Sequence, residues 1–240
     1  MGMKTKQLPL ALPTDPGSAF DNFVPGSNLD CLSYLQDRVS RLGQAASFAP
    51  TYIWGAHGSG KTHLLQSVAD AAADNGHTCT WLTPEEPVAG LADINPHNAV
   101  ILMDDCDAFD EEHQAAAFRT FIDAQAYGIW IVAAGACPPV DLNVREDLRT
   151  RLGWGDIFAL KELSDEELNA ALWQAFRSRG LTLHQDVLDY LLHHFDRNMA
   201  SLMRLLSELD RYALASKRAI TIPLIKSMLS DDEYAKNLTV

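Results

Sequence analysis

The residues with the clearest chemistry form one glycine-rich segment, GAHGSGKT, at residues 55–62. It fits the pattern G-x-x-x-x-G-K-[ST], in which glycines let backbone N–H groups wrap around a phosphate. Lys61 would reach the β- and γ-phosphates, and the Thr62 hydroxyl would bind Mg²⁺. His57 occupies a variable position of the pattern, and we expect it to face solvent. The segment predicts a nucleotide-binding site with these contact residues: Gly55, His57, Gly58, Ser59, Gly60, Lys61, Thr62 and His63.

Two carboxylates follow the apolar run at residues 100–103. A run that is apolar at every position is typical of a buried parallel strand, and Asp104 and Asp105 come directly after it. At such a strand end one carboxylate can hold Mg²⁺ through water and the next can orient the attacking water. We therefore assign Asp104, with Thr62, to magnesium and Asp105 to catalysis. Strands often end in acidic residues, so the assignment depends on the phosphate-binding segment before it.

The elements that must position these residues divide the chain into an α/β part and a helical part. Helices predicted at 29–42, 61–75 and 111–126 lie among strands predicted at 51–54, 78–82, 99–103, 130–134 and 157–160. This alternation indicates a parallel sheet with helices on both faces. Asn28 is the expected N-cap of the first helix. After residue 160 only helical patterns occur, at 165–179, 185–195, 200–216 and 222–229, beginning with a capping box at Ser164 and Glu167.

Composition limits the classes of function. The chain has 19 Lys and Arg against 32 Asp and Glu, a net charge of −13 that weighs against a dedicated nucleic-acid binder. No segment approaches the roughly 18 apolar residues of a membrane span, so we expect no membrane association. Four scattered cysteines without a C-x-x-C pair fit free thiols in a reducing cytoplasm.

Four segments of the chain resemble the DnaA/Hda family of AAA+ proteins. They are FDNFVPGSN at 20–28, TYIWGAHGSGKTHLLQ at 51–66, MDDCDAF at 103–109 and RLGWG at 151–155. The resemblance spans about residues 20–230 in order. It implies an α/β fold, with a P-loop NTPase base domain of the AAA+ class at 20–162 and a small all-helical lid domain at 163–240. Residues 1–19 would form an extended tail.

The resemblance also implies partners. Initiators of this family carry a C-terminal DNA-binding domain, and this chain ends near the end of the lid, so we expect the Hda branch and no direct sequence-specific DNA binding. Members of that branch are negative regulators of replication initiation that bind the DNA polymerase sliding clamp (beta subunit) and the DnaA initiator. A resting homodimer is compatible with this resemblance. The clamp-binding motif would consist of Gln7, Leu8, Leu10 and Leu12.

In the family, an arginine finger in the RLGWG segment completes the active site of the ATP-bound initiator and stimulates its hydrolysis. Here that residue is Arg151. Such a guanidinium, supplied in trans, neutralises charge on the transferring phosphoryl group. Arg149 is the competing candidate and Arg145 a less favoured one. The alternative role for Arg151 is a local ion pair with Asp147 or Asp156.

Two positions depart from the AAA+ pattern. Ala136 falls where a polar sensor usually follows the fourth strand, and Ala200 stands where the initiator's lid carries an arginine, with Arg197 and Arg204 flanking it. We therefore expect bound ADP, with ATP as the other candidate ligand and Mg²⁺ as cofactor, and weak or no intrinsic ATPase activity. The first alternative is an autonomous AAA+ ATPase of the helicase-loader (DnaC-like) type. The second is a nucleotide-gated adaptor without effect on hydrolysis.

Overall fold

The computed structural model describes residues 20–44, 49–88, 98–178, 184–195 and 199–230. Five parallel strands form one sheet in the order β2-β3-β4-β1-β5. Every predicted strand is confirmed, to within one residue at each end. The strands are β1 Thr51–Gly55, β2 Thr78–Leu82, β3 Asn98–Met103, β4 Trp130–Gly135 and β5 Asp156–Leu160.

Helices cover both faces of this sheet. The predicted helices are present as α1 Leu29–Ser40, α2 Lys61–Asp74 and α3 Glu111–Tyr127. A short helix, α4 Glu146–Leu152, was not expected from the sequence. Its seven residues bury only Leu148 and Leu152, and two apolar positions are too few to establish a helical period.

The sheet separates two apolar cores, because successive strand side chains point to opposite faces. Ile53, Leu102 and Val132 pack with α1 and α2 on one face, whereas Ile101 and Met103 pack with α3 and α4 on the other. The run at 100–103 is fully buried, as the sequence predicted. This burial on both faces fixes the strands whose carboxyl ends carry the chemistry.

The C-terminal helices surround a core of their own. They are α5 Asp165–Ser178, α6 Gln185–His194, α7 Met199–Ser216 and α8 Ile222–Leu229. Buried leucines of all four helices meet Phe176 in this core. The predicted boundary at residue 162 stays a prediction, but the capping box beyond it is formed: the Glu167 carboxylate accepts from the Ser164 N–H at 2.8 Å, and the Ser164 hydroxyl accepts from the Glu167 N–H at 3.2 Å.

One prediction at the start of the chain was wrong. Asn28 precedes α1 but makes no side-chain cap. Instead its amide pairs with the backbone of Lys161, donating to the carbonyl at 2.9 Å and accepting from the N–H at 2.8 Å. The two-fold contact with a distant segment satisfies both ends of the amide, which a cap would not. Among the helices that the structure describes, none has the combination of length and hydropathy that a membrane span requires.

Candidate nucleotide-binding site

The predicted site residues follow strands β1, β3 and β4, which are neighbours in the sheet. Because the strands are parallel, their carboxyl ends lie at one edge, the usual position of ligand sites in such sheets. β1 leads into the phosphate-binding segment, β3 into Asp104 and Asp105, and β4 into Ala136. Residues that are far apart in the sequence thus lie along a single rim of the sheet.

The phosphate-binding segment connects β1 to α2 through a backbone that requires glycine. Gly58 has a φ of +80° and Gly60 a φ of +100°, in the left-handed region that side chains disfavour. Phe23, from the FDNF segment, lies directly against Gly60: a Cβ atom there would be 2.7 Å from its ring. Close packing and backbone conformation therefore both favour glycine at position 60.

Lys61 places its charge inside this loop. Its side chain is buried, and its ammonium group donates to the carbonyl of Gly55 at 2.9 Å and of Ala56 at 3.0 Å. It is also the first residue of α2, whose N-terminus carries positive partial charge. A phosphate in the loop would therefore meet both the ammonium group and the N–H groups of the helix start.

Ser59 supplies an independent indication of a ligand. Its hydroxyl oxygen is buried and has no hydrogen-bond partner among the described residues. A buried hydroxyl without a partner costs free energy, so a hydrogen-bonding ligand in the loop would stabilise it. The donor set of the loop consequently fits a phosphate group.

Asp104 and Asp105 differ in their surroundings. Asp104 is buried; its N–H donates to the Leu82 carbonyl at 3.0 Å, and its carboxylate accepts from the Asp105 N–H at 3.0 Å. Asp105 is exposed and has a φ of +48°, unusual for a residue other than glycine. Although the residue is exposed, its carboxyl group loses part of its hydration to neighbouring atoms, and this loss, followed by the charges of Asp104 and Asp107, raises its pKa. A raised pKa makes this carboxylate a better proton acceptor near neutral pH.

A cavity of about 450 Å³ brings the predicted metal residues, Thr62 and Asp104, together with Asp105. No group of three or more His, Cys, Asp or Glu side chains suited to a metal occurs in the described parts of the chain. Mg²⁺ bound here would accordingly need phosphate oxygens and water as further ligands, which is its usual coordination beside a nucleotide. The lining residues are Thr62, Gln66, Trp81, Thr83, Glu85, Glu86, Asp104 and Asp105.

Several of these lining residues escaped the sequence reasoning. Gln66, Trp81, Thr83, Glu85 and Glu86 fit no spacing pattern, because they come from α2, β2 and the loop after β2. The acidic pair at 85–86, separated by two residues from the end of a predicted strand, was the one signal that could have indicated a second wall. The acidic pair forms a wall of the cavity only because β2 lies beside β3 in the sheet.

The end of β4 offers backbone groups rather than a polar sensor side chain. The Ala136 N–H donates to the Asp107 carboxylate at 2.7 Å, and the Tyr52 hydroxyl donates to the Cys137 carbonyl at 2.9 Å. Asp107, an acidic residue that the sequence left without a role, thus ties the loop after β3 to the loop after β4. This hydrogen bond holds the two loops together at the position that a polar sensor side chain would occupy.

The remaining predicted contact residues lie in different surroundings. His57 is exposed in the loop. His63 is half-buried, with its ring centroid 5.7 Å from that of Phe23. In α7, Arg204 is exposed and donates to the Ser201 hydroxyl at 3.4 Å. Arg197 and the side chain of Ala200 lie outside the described residues, as does the clamp-binding motif at residues 7–12.

Arg151 lies away from this rim, in the last turn of α4. Its guanidinium group donates to the Gln125 side chain at 3.3 Å and lies 5.7 Å from the centroid of the Trp154 ring. Trp154 is 62% exposed, so this face presents an aromatic side chain to solvent. Arg149, on the same helix, is half-buried.

Neither of the local ion pairs considered for Arg151 is formed. Asp147 instead accepts from Arg145 at 2.6 Å, beside a shallow depression of about 550 Å³. Asp156 lies 3.6 Å from Arg38. Both carboxylates therefore have other cationic partners.

Two family models match the chain in separate parts. The model described as the bacterial DnaA ATPase domain matches residues 15–94, and the model described as the lid domain of Hda matches residues 165–229. The first covers the phosphate-binding segment, and the second covers the four C-terminal helices. The two matches lie in the order that the fold requires.

Solved structures share the fold over most of the chain. Domain III of the replication initiation protein DnaA from Thermotoga maritima has a TM-score of 0.72 at 22% identity, covering 92% of this chain and 98% of that one. AMPPCP-bound DnaA from Aquifex aeolicus has a TM-score of 0.66 at 22% identity, covering 79% of this chain and 64% of that one. A RuvB variant from Thermotoga maritima has a TM-score of 0.64 at 16% identity, covering 90% and 74%.

The parallel sheet, the phosphate-binding segment between β1 and α2, and the helical C-terminal region define an AAA+ P-loop protein. Within that class, the two family matches identify the relatives more narrowly. The chain belongs to the DnaA/Hda family.

Proposed function

We propose that this protein is a negative regulator of DNA replication initiation. In this proposal it holds ADP, docks on the DNA-loaded sliding clamp, and stimulates ATP hydrolysis by the DnaA initiator through Arg151. Its membership of the DnaA/Hda family supports the replication role. The nucleotide, the clamp and the arginine finger are the parts that experiment must test.

The observation that carries the proposal is the position of Arg151 relative to its own phosphate-binding loop. The loop follows Gly55, at the carboxyl end of β1. Arg151 precedes β5, whose first residue, Asp156, pairs with Thr51 at the amino end of β1. These two ends are about 13 Å apart along the strand. The guanidinium is thus at the opposite edge of the sheet, suited to a nucleotide on another molecule.

The surroundings of Arg151 support the same role. Its partners are the neutral Gln125 amide and the Trp154 ring, so the guanidinium charge is not neutralised by a carboxylate of the described residues. An uncompensated guanidinium can make charge-assisted hydrogen bonds to phosphate oxygens. Arg145 is less suited, because its charge is already paired with Asp147 at 2.6 Å.

Nucleotide binding is supported by the loop itself. Backbone N–H groups, the Lys61 ammonium and the Ser59 hydroxyl would bind the phosphates, and Thr62 with Asp104 would hold Mg²⁺, which neutralises phosphate charge when bound. The absence of polar side chains at Ala136 and Ala200 favours a nucleotide without a γ-phosphate to sense. We therefore infer ADP as the resident ligand and slow intrinsic hydrolysis.

The clamp contact is supported by residues 7–12 and the family resemblance. In this proposal a segment stiffened by Pro9 would bind in extended form and present apolar anchors, and Gln7 would add directional hydrogen bonds. Reaching DNA through a clamp also agrees with a net charge of −13, which disfavours direct binding to phosphate backbones.

The test measures ATP hydrolysis in three mixtures: this protein alone, the DnaA initiator with DNA-loaded clamp, and both together. We expect stimulation only in the complete mixture. Arg151→Ala should abolish it, because one arginine finger contributes several orders of magnitude to turnover. Arg149→Ala is the matched control, since it removes a neighbouring arginine of the same helix. If Arg149→Ala abolishes stimulation and Arg151→Ala does not, the assignment moves to Arg149.

The other readings predict different results. Turnover by the purified chain alone, lost in Lys61→Ala, would identify an autonomous ATPase. Nucleotide binding without stimulation of the initiator would leave an adaptor.

Replacing Gln7 and Leu10 by alanine should remove clamp binding in a pull-down and leave ADP binding intact.

A further inference from the structure

His113, in the first turn of α3, makes contacts that the proposed nucleotide chemistry does not use. It is buried, with 8% of its surface exposed. Its Nδ1 lies 2.6 Å from the Asp110 carboxylate, and its Nε2 lies 3.0 Å from the Glu86 carbonyl oxygen. Because both partners are acceptors, both ring nitrogens must carry protons for both contacts to be hydrogen bonds. The geometry therefore requires the imidazolium form.

Helix stability does not account for a cation at this position. Asp110 is the N-cap of α3, and its carboxylate accepts from the His113 N–H at 2.9 Å. His113 is the third residue of the helix, where positive charge is opposed by the partial charge of the N-terminus. A neutral Gln would complete a capping box there at lower cost. The imidazolium is explained by what it holds outside the helix.

What it holds is one wall of the cavity beside the phosphate-binding loop. The Glu86 carbonyl belongs to the loop after β2, and this loop lines the cavity with Thr83, Glu85 and Glu86. Asp104 and Asp105 line the same cavity from the loop after β3, which leads to Asp110 and α3. A bridge from Glu86 through His113 to Asp110 joins the two walls.

We propose that His113 is a positioning residue that holds the loop after β2 against the start of α3 and so sets the width of the nucleotide cavity. The consequence for nucleotide affinity rests on the proposed nucleotide binding. The clamping of the loop does not, because both contacts belong to the protein itself. A cavity held at its working width lowers the ordering cost of binding.

Protonation controls this bridge. The hydrogen bond to the Glu86 carbonyl and then the hydrogen bond to Asp110 raise the pKa of His113, while burial lowers it. The charged groups that act on the ring are Asp110, the N-cap, and Glu112 on its own helix; the facing loop contributes the backbone carbonyl of Glu86. Below the ordinary pKa of about 6.5 the bridge is complete. As pH rises through the raised pKa, the ring loses one proton. The short contact to Asp110 retains the other, so the Glu86 contact breaks.

The first experiment measures MgADP affinity by calorimetry between pH 6 and pH 9. We expect His113→Gln to bind about fivefold more weakly than wild type at the acidic end, a typical coupling between a positioning contact and a ligand. The two affinities should converge at high pH, where the wild-type bridge is also broken. Asp110→Asn keeps an N-cap but removes the charge, so it should shift this convergence to lower pH. His193→Gln, exposed on α6, is the control.

A ratio of wild-type to His113→Gln affinity that stays constant across the pH range would overturn the proposal. A general structural defect in the variant would weaken binding equally at every pH, whereas loss of the bridge follows the protonation of His113. Wild type that binds no MgADP would overturn the proposed nucleotide function instead. In that event hydrogen exchange of the amides at 83–88 still tests the bridge. Protection relative to His113→Gln should be lost as pH rises, and equal protection at acidic pH would refute the clamping itself.

Discussion

Gly60 and Phe23 offer a quantitative test of how the N-terminal segment supports the phosphate-binding loop. Gly60→Ala places a side chain at a φ of +100°, beyond the left-handed minimum, which costs about 2 kcal/mol. The new Cβ would also lie 2.7 Å from the Phe23 ring, and displacing this half-buried ring costs about 1 kcal/mol more. We expect a total loss of about 3 kcal/mol in the free energy of unfolding.

The matched control is Gly76→Ala. Gly76 has a φ of +78°, and nothing lies within 4 Å of the site of its Cβ. Its replacement should therefore cost only the backbone term, about 1 kcal/mol. Urea unfolding of wild type and both variants measures the difference.

A double-mutant cycle separates the two contributions at Gly60. In the presence of Phe23→Ala, the cost of Gly60→Ala should fall by about 1 kcal/mol, because the clash has been removed. Equal losses for Gly60→Ala and Gly76→Ala, or a cycle with no interaction energy, would refute the reasoning. MgADP affinity of Gly60→Ala should also fall, since the loop must move to accept the side chain.

Three further predictions concern the site and the lid. Asp105→Asn should stabilise the fold at neutral pH, because a raised carboxyl pKa means that the charged form is disfavoured in the folded state. The gain in stability should disappear as pH falls through that pKa, and unfolding curves at pH 7 and pH 4 would measure it. Lys61→Ala should remove MgADP binding in calorimetry while the chain remains folded by circular dichroism. Ser164→Ala should lower the stability of the helical region by about 1 kcal/mol through the lost cap, measured by thermal unfolding. An unchanged transition would show that Glu167 alone sustains the helix start.

Local pattern was sufficient where one element carries the whole signal. The glycine-rich loop was recognisable because strand, loop and helix are contiguous at residues 51–75, and the run at 100–103 because burial on both faces excludes polar residues. The capping box at Ser164 and Glu167 follows from side chains three residues apart. In each case the physical cause lies within one segment.

Prediction failed where a side chain has a distant partner, or where a segment has too few apolar residues to show a period. Asn28 looked like a helix cap, but its amide hydrogen-bonds to Lys161, far along the chain. Helix α4 was missed because its two buried leucines give no period. Asp107 gained its role only from Ala136, which follows a different strand.

By itself, the sequence determined the glycine-rich loop pattern and the alternation of strands and helices, because glycine spacing and apolar periodicity are local properties. The AAA+ class came from the resemblance of four segments to a known family. The tertiary structure decided which walls enclose the cavity, which carboxylates have other partners, and where Arg151 lies relative to its own loop. Those properties depend on the strand order β2-β3-β4-β1-β5, which sets Thr83, Glu85 and Glu86 beside Asp104 and Asp105. The same order puts Arg151 at the opposite edge of the sheet, because β5 pairs with β1 in parallel.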